Sequence, residues 1–484
     1  MLSLNNRGLL VLAFGRVLQV GIMLASIKLS THYLTAVEIG NLYVIVAITN
    51  FFGLFLINPL GQYVNRCTHT WYAAGELVNR LFIYNFYVVG VALLSFCVVS
   101  MLPLINVAGE INYGFLLLVV PIFVYVNTWN QTLAPTLNML GHRVVFTALT
   151  VASAALAVLL SFFAVILYEP TGIMWVSGQV VSFFLLSIVS LFFLIRYVPQ
   201  SFDVVAMRAA ISRESLLGVV RFALPLAVSI LFLWMQGQSY RFVIERFVGL
   251  EFLGYFGVGF AIAIAISSSV ESLIMQWISP VLYRSMENPE KFSGYFSALI
   301  NRILPLYFIL AIFVSFLSVH FMVVLVGEKY SQSYVFLVFG IWAEFFRVAT
   351  NLLATVAHSK MHTRKLVVPY AVGGIGTLLG VYFASQFTNY YILIPSLVVI
   401  MGGVGFAVMY YQMNTMLAVR LRVANFLRMF MFGAVFSFAY FFHSISSSAL
   451  ASIFVLGGFG VYFLVVVYFY FRTLGGVRAL ELEL

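Results

Sequence analysis

The segment VVFTALTVASAALAVLLSFFAVIL, residues 144–167, runs for 24 residues without an Asp, Glu, Lys or Arg. The hydrocarbon core of a bilayer is about 30 Å thick, and about 20 helical residues cross it. Thirteen other segments have comparable length and apolarity. The sequence therefore predicts an all-α, polytopic membrane protein with about 14 transmembrane helices. The predicted spans are 9–29, 39–64, 81–103, 113–139, 144–167, 174–195, 218–236, 252–278, 303–326, 334–357, 366–384, 391–417, 425–442 and 449–471.

The basic residues lie mainly in alternate connections between these spans. If the N-terminus is cytoplasmic, 19 of the 25 Lys and Arg residues fall inside, three fall outside and three lie within spans. A missed span would reverse this bias further along the chain, so the pattern predicts an even number of spans with both termini cytoplasmic. The predicted inside residues are Arg7, Arg66, Arg80, Arg143, Arg196, Arg208, Arg213, Arg221, Arg284, Lys291, Arg302, Lys360, Arg364, Lys365, Arg420, Arg422, Arg428, Arg472 and Arg478.

Composition excludes a soluble multidomain protein, because 63% of the residues are hydrophobic and only 8% are charged. The net charge of +10 is spread over short loops that face lipid headgroups, so it indicates membrane lipids rather than nucleic acid as the partner. The sequence has no Walker loop, Rossmann glycine pattern, HExxH or GxSxG motif. We therefore expect no enzyme, no cofactor and no metal site.

An internal repeat divides the predicted helices. Three pairs of segments match in order at nearly one offset, and one repeat holds six spans. Because six is even, both copies enter the membrane from the same side, which predicts two parallel six-helix lobes. The expected domains are 1–200 (helices 1–6), 201–420 (helices 7–12) and 421–484 (helices 13 and 14). The matching pairs are the segments that begin at Glu38 and Glu251, the loops around Glu110 and Glu328, and the turns around His142 and His358.

Polar residues recur at equivalent places in both repeats. Span 10 carries Glu344, Arg347 and Asn351 within an arc of about 80°. Span 4 carries Asn127, Asn130, Asn138 and Gln131 on one face. Ionisable groups inside a bilayer face protein or water, so these stripes predict the lining of a central aqueous cleft. Alternatively, Glu344 and Arg347 form a local ion pair that only packs the bundle.

Span 1 has a similar polar stripe, with Arg16 and Gln19 among its members. Arg16 has no acidic residue on its own helix and is expected to line the cleft, whereas Lys28 is expected to reach the outer interface. Glu271 of span 8 could pair with Arg16 or Arg347, or exchange H⁺ or Na⁺, and the sequence does not choose between these roles.

The arginines favour an anionic ligand. The planar guanidinium of Arg16 or Arg347 suits a phosphate or diphosphate, because it can bind two oxygens at once. If Glu271 and Glu344 neutralise both arginines, this preference disappears.

The segment RFALPLAVSILFLWMQGQSYRFVIERFVGLEFLGYFGVGFAIA, residues 221–263, resembles helices 7 and 8 of the polysaccharide-transport flippases. This family belongs to the multidrug/oligosaccharidyl-lipid/polysaccharide exporter superfamily. One departure is Tyr240, where the family often has an acidic residue before the Arg; Arg241 is expected to pair with Glu245 instead. The residues that carry the resemblance are Leu224, Pro225, Arg241, Phe242, Gly249, Gly254 and Tyr255, with VGEKYSQSY from Val326 and AHSKMHTRK from Ala357.

The resemblance implies flipping of an undecaprenyl-diphosphate-linked oligosaccharide across the bacterial inner membrane by alternating access, for O-antigen or exopolysaccharide synthesis. It also implies a polysaccharide polymerase and a chain-length regulator as candidate partners. A cation-coupled drug or metabolite antiporter of the same superfamily is the main alternative, and a membrane-embedded polysaccharide polymerase is a third.

Overall fold

The computed structural model describes residues 2–285, 289–360, 362–445 and 448–473. Within them, fourteen helices are long and apolar enough to cross a membrane, as predicted. Helices satisfy their own backbone hydrogen bonds, which lipid cannot do. The chain is therefore a multi-pass, all-α membrane protein. The helices, labelled α1 to α14, are Val11–Tyr33, Ala36–Ala73, Leu77–Leu104, Tyr113–Met139, Arg143–Leu167, Gly172–Tyr197, Leu216–Phe247, Leu250–Met275, Phe292–Phe316, Glu328–Ser359, Thr363–Ala384, Tyr390–Asn414, Val423–His443 and Ala449–Arg472.

Part of the predicted inside set cannot be placed. Arg478 lies outside the described residues, and so do the side chains of Arg7, Arg284 and Lys291. The orientation of the helices in the membrane stays a prediction.

The bounds predicted for the ninth span differ from the bounds of the helix. The sequence predicts one span over 303–326, whereas a continuous helix covers Pro289–Phe316 and a separate short helix covers Ser318–Leu325. The helix breaks at Leu317, whose φ of −100° and ψ of 10° leave the helical region. Both sides of this break are apolar, so hydropathy extends the span past the helix end. Arg302 therefore lies within α9 rather than in a connection.

Two helices each contain a π-helical turn. The turn in α2 covers Phe51–Ile57 and the turn in α7 covers Met235–Ser239. Such turns are rare and interrupt the regular hydrogen-bond ladder, so they bend the helix that contains them. The two helices pack together near these turns, where Trp234 Nε1 donates to the Ala47 carbonyl at 3.1 Å.

By contacts, the chain divides into two compact units. The first unit is Met1–Ser26 with Tyr33–Gly254, and the second is Ile27–His32 with Tyr255–Leu484. Helix α7 belongs to the first unit because it packs against α2. The boundary therefore follows residue 254, whereas the repeat places it at residue 200. Contact grouping and internal repetition are different criteria, and the division into 1–200, 201–420 and 421–484 stays a prediction.

Small residues bring helices α5 and α6 of the first unit close together. A Cβ atom on Gly178 would collide with the backbone of Ser161. The Ser161 hydroxyl donates to the Trp175 carbonyl at 2.6 Å, and the Ser182 hydroxyl donates to the Ser153 carbonyl at 3.0 Å. In lipid, close backbone approach and interhelical hydrogen bonds of this kind hold helices together.

Asn301 anchors the last two helices within the second unit. Its side-chain amide donates to the Arg420 carbonyl at 2.8 Å and accepts from the Arg422 N–H at 2.6 Å. The Asn425 amide and the Tyr470 hydroxyl donate to its backbone carbonyl at 3.0 and 2.9 Å. One buried residue of α9 therefore holds α13 and α14.

The last turn of α1 packs in the second unit. Thr31 accepts a hydrogen bond from the Gly327 N–H at 3.0 Å. The Lys28 ammonium donates to the carbonyls of Val323 and Val326. The Lys28 charge therefore caps carbonyls at the end of the short helix Ser318–Leu325, and its place at the outer interface stays a prediction.

Candidate functional site

Three charged side chains of the second unit form one cluster, which we call the charge triad: Glu271 of α8 with Glu344 and Arg347 of α10. Arg347 Nε donates to both carboxylate oxygens of Glu344, at 3.0 and 2.9 Å. Arg347 Nη2 lies 2.8 Å from Glu344 Oε2 and also 2.8 Å from Glu271 Oε2. One guanidinium group therefore joins two carboxylates from different helices.

The geometry of the triad follows partly from the sequence. Residues three apart on a helix are neighbours, so Glu344 and Arg347 pair as their spacing predicts. The partner of Glu271, which the sequence left open, is Arg347. Two carboxylates and one guanidinium give a net charge of −1 when all are ionised. The cationic character expected at Arg347 is therefore neutralised.

The three side chains of the triad are exposed to different extents. The exposed fraction of the side chain is 33% for Arg347, 27% for Glu271 and 9% for Glu344. Arg347 and Glu271 are therefore the accessible members of the triad, and Glu344 is the most buried.

Two tyrosines and an amide flank the triad. Tyr307 of α9 is only 3% exposed, its hydroxyl has no hydrogen-bond partner among the described residues, and it interacts electrostatically with all three charges. Tyr370 of α11 donates to Asn351 Oδ1 at 3.3 Å, one turn of α10 beyond Arg347. Sequence reasoning missed both tyrosines, because a Tyr in an apolar span is usually an interface residue.

The polar residues of α4 lie in the first unit. Gln131 is exposed, and its amide donates to Asn127 Oδ1 at 3.2 Å. The amide of Asn130 donates to the Ser153 hydroxyl of α5 at 2.9 Å. These three residues keep part of their hydrogen-bonding capacity, since each amide has more donors and acceptors than these bonds use.

Arg16 of α1 is exposed and also lies in the first unit. It donates to Gln19 Oε1, one turn along the same helix, at 3.0 Å. Among the described residues it forms no ion pair, so its charge is not neutralised. Arg16 therefore keeps its positive charge, whereas the charge of Arg347 is neutralised by Glu271 and Glu344.

The structure brings three of the nine predicted site residues into the charge triad and joins two further pairs within their own helices. The single aqueous cleft that all nine would line stays a prediction.

Arg241 does not pair with Glu245 among the described residues. It is 5% exposed, donates to the Tyr43 carbonyl at 3.2 Å and lies over the Tyr43 ring at 5.1 Å. Glu245 instead accepts from the Ala108 N–H at 2.6 Å. Both residues therefore tie α7 to other parts of the first unit, which differs from the pairing expected from the sequence.

No family model and no curated protein sequence matches the chain. Solved structures do match it. A structure described as the lipid II flippase MurJ in an inward closed conformation aligns with a TM-score of 0.69 at 11% identity, and the match covers 96% of this chain and 99% of that one. The fold is that of MurJ. An inward-facing multidrug resistance MATE family transporter of the MOP superfamily aligns with a TM-score of 0.55 at 12% identity, over 84% of this chain and 95% of that one. Neither is named as an enzyme.

Proposed function

We propose that this protein is a flippase that moves an undecaprenyl-diphosphate-linked oligosaccharide across the bacterial inner membrane by alternating access. The observation that carries the proposal is the likeness in fold to MurJ over almost the whole length of both chains. That protein is named as a flippase for lipid II. The sequence resemblance to polysaccharide-transport flippases supports an O-antigen or exopolysaccharide repeat unit as the cargo.

The site residues have distinct roles in this proposal. Each unit offers one arginine to the diphosphate, Arg16 in the first and Arg347 in the second, because a guanidinium fork matches two phosphate oxygens. The amides of Asn127, Asn130 and Gln131 offer donors and acceptors to sugar hydroxyls. Gln19 orients Arg16 through the hydrogen bond between them, and Asn351 extends the polar face of α10.

The partners and the topology belong to the same proposal. A flippase of this kind hands its product to a polysaccharide polymerase and a chain-length regulator in the same membrane. Both termini are cytoplasmic, as the distribution of basic residues supports. A gradient of H⁺ or Na⁺ drives the cycle.

A transport assay tests the proposal. The full chain is reconstituted in liposomes that contain an undecaprenyl-diphosphate-linked oligosaccharide with a fluorescent sugar. A membrane-impermeant quencher then reaches only the outer-leaflet half of the label in protein-free liposomes and nearly all of it when the protein is present. Arg16→Ala and Arg347→Ala should each reduce flipping to the protein-free level, whereas Arg208→Ala, which changes an exposed residue of the short helix Val204–Ala210, should not. Wild-type protein that leaves half of the label protected would refute the proposal.

A cation-coupled drug or metabolite antiporter is the second candidate. The net negative charge of the triad favours a cationic ligand, and the likeness in fold to a MATE transporter supports this alternative. Uptake of a fluorescent organic cation against an imposed H⁺ or Na⁺ gradient would establish this function, provided that Glu271→Gln abolishes it.

A further inference from the structure

The charge triad has a net charge of −1 when its two carboxylates and its guanidinium are all ionised. Among the residues that the structure describes, Arg347 is the one cation paired with both Glu271 and Glu344. A diphosphate that approached Arg347 would meet a net charge of −1, and like charges repel strongly where water is scarce. Arg347 therefore cannot bind a diphosphate well until one carboxylate loses its charge or moves away.

Of the two carboxylates, Glu271 is the one that can separate from Arg347 with the smaller loss of contacts. It makes one contact with the guanidinium, through Oε2, whereas Glu344 makes three. Its side chain is three times as exposed as that of Glu344, 27% against 9%. Protonating Glu271 therefore breaks fewer contacts than protonating Glu344, at the more exposed of the two carboxylates.

The hydroxyl of Tyr307 provides a second, independent observation, because it lacks a hydrogen-bond partner among the described residues. Its hydroxyl is buried and has no hydrogen-bond partner among the described residues, although buried hydroxyls are nearly always bonded. Glu271 is one of the charged groups close enough to act on this hydroxyl. A protonated carboxyl group has an O–H to donate and a carbonyl oxygen to accept with, so it can partner a tyrosine hydroxyl in either direction.

We infer that Glu271 is a proton-dependent switch that controls anion binding at Arg347. A proton from water forms an O–H bond on Glu271, the ion pair with Arg347 breaks, and Tyr307 becomes the hydrogen-bond partner of the neutral acid. The Nη2 donor that Glu271 releases then binds the diphosphate, while Glu344 keeps its contacts with Nε and Nη2 of Arg347. When the diphosphate leaves, the proton returns to water and Glu271 pairs with Arg347 again.

The switch rests on the proposed function, because it assigns the diphosphate to Arg347. The titratable and charged groups around Glu271 in the described residues are Glu344 and Arg347 from α10 and Tyr307 from α9, and Tyr370 of α11 faces Arg347. One proton is therefore taken up for each diphosphate bound.

Calorimetry measures this linkage directly. Inorganic diphosphate is titrated into the full chain in detergent micelles, between pH 6 and pH 8, in two buffers that differ in ionisation enthalpy. Wild-type protein should take up about one more proton per diphosphate than Glu271→Gln, and its Kd should rise by up to about tenfold per pH unit relative to that variant. Protonation of the diphosphate itself is common to both proteins and cancels in the difference.

Two other variants sharpen the test. Glu251→Gln changes an exposed carboxylate at the start of α8 and should behave as wild type. Tyr307→Phe removes the partner of the neutral acid, so the pH at which diphosphate binding weakens should fall. This variant also keeps the inference testable if Glu271→Gln does not fold.

The possible results distinguish failure of the Glu271 switch from failure of the assignment of the diphosphate to Arg347. If wild type and Glu271→Gln bind diphosphate with the same pH dependence, or if Tyr307→Phe causes no shift, the switch is wrong and the proposed function stands. If wild-type protein binds no diphosphate at any pH, or if Arg347→Ala binds it as well as wild type, the assignment of the headgroup to Arg347 fails and the switch fails with it.

Discussion

Replacing Arg347 by Met should destabilise the protein through Glu344 rather than through Glu271. Methionine keeps most of the apolar stem and removes the charge, so packing changes little. Glu271 is 27% exposed and loses one contact with Arg347, but Glu344 is 9% exposed and loses all three of its contacts. Removing one partner of a buried ion pair costs about 3–5 kcal/mol, and the partial exposure of this pair places the loss near about 3 kcal/mol.

Two double variants, compared by how much stability each recovers, test whether the loss arises at Glu344. Glu344→Gln combined with Arg347→Met should recover most of the loss, because no charge is then left buried. Glu271→Gln combined with Arg347→Met should recover little, because Glu344 remains unpaired. The free energy of unfolding is measured in mixed micelles by titration with SDS, with tryptophan fluorescence as the signal.

Two results would contradict this account. One is an Arg347→Met variant within about 0.5 kcal/mol of wild type, which is the range of surface substitutions. The other is equal recovery by the two double variants, which would mean that Glu344 is no more dependent on Arg347 than Glu271 is.

Two further predictions concern packing and pH. Gly178→Leu should lower the unfolding temperature and cost about 1–3 kcal/mol, because the new side chain meets the Ser161 backbone and forces α5 and α6 apart. Burial first, and then the nearby His443 charge, lower the pKa of His320, which shares a hydrogen bond of 3.1 Å with the Ser452 hydroxyl. Because the unfolded state binds a proton that the folded state resists, stability should be full above about pH 6.5 and fall as the pH drops below it. Heating the protein at pH 7.5 and pH 5.5 should show this fall, and His320→Gln should lose part of it.

Matched substitutions provide the controls. Gly90→Ala in α3 adds a Cβ atom to open space and should leave the unfolding temperature unchanged or slightly higher. His69→Gln changes an exposed histidine and should keep the pH dependence of wild type. A Gly178→Leu variant as stable as wild type, or a pH dependence that His320→Gln does not alter, would contradict the respective prediction.

Most of the fold could be predicted from the sequence, because lipid imposes one rule on every span. Each crossing needs a long apolar helix, and hydropathy detects such helices directly. The same measure fails where an apolar chain changes direction. The break at Leu317 lies between two apolar segments, so only the backbone reveals that α9 ends there.

The site could be predicted only where spacing along one helix decides the contact. Glu344 and Arg347 are three residues apart and must meet, whereas the partner of Glu271 depends on how helices pack. Tyr307 could not be found, because a hydroxyl near buried charges looks the same in sequence as a hydroxyl at the lipid interface. Arg241 shows the same limit, since a distant carbonyl and ring satisfy it instead of Glu245.

The last turn of α1 has a consequence for biosynthesis. Lys28 and Thr31 are synthesised almost three hundred residues before the backbone groups that they bind, from Val323 to Gly327. Domains generally fold as they are synthesised. Helix α1 is therefore made with a cation and a hydroxyl that remain without these partners until the chain has been synthesised as far as residue 327. A ribosome that stalls before residue 320 would leave this end of the helix exposed to membrane quality-control proteases.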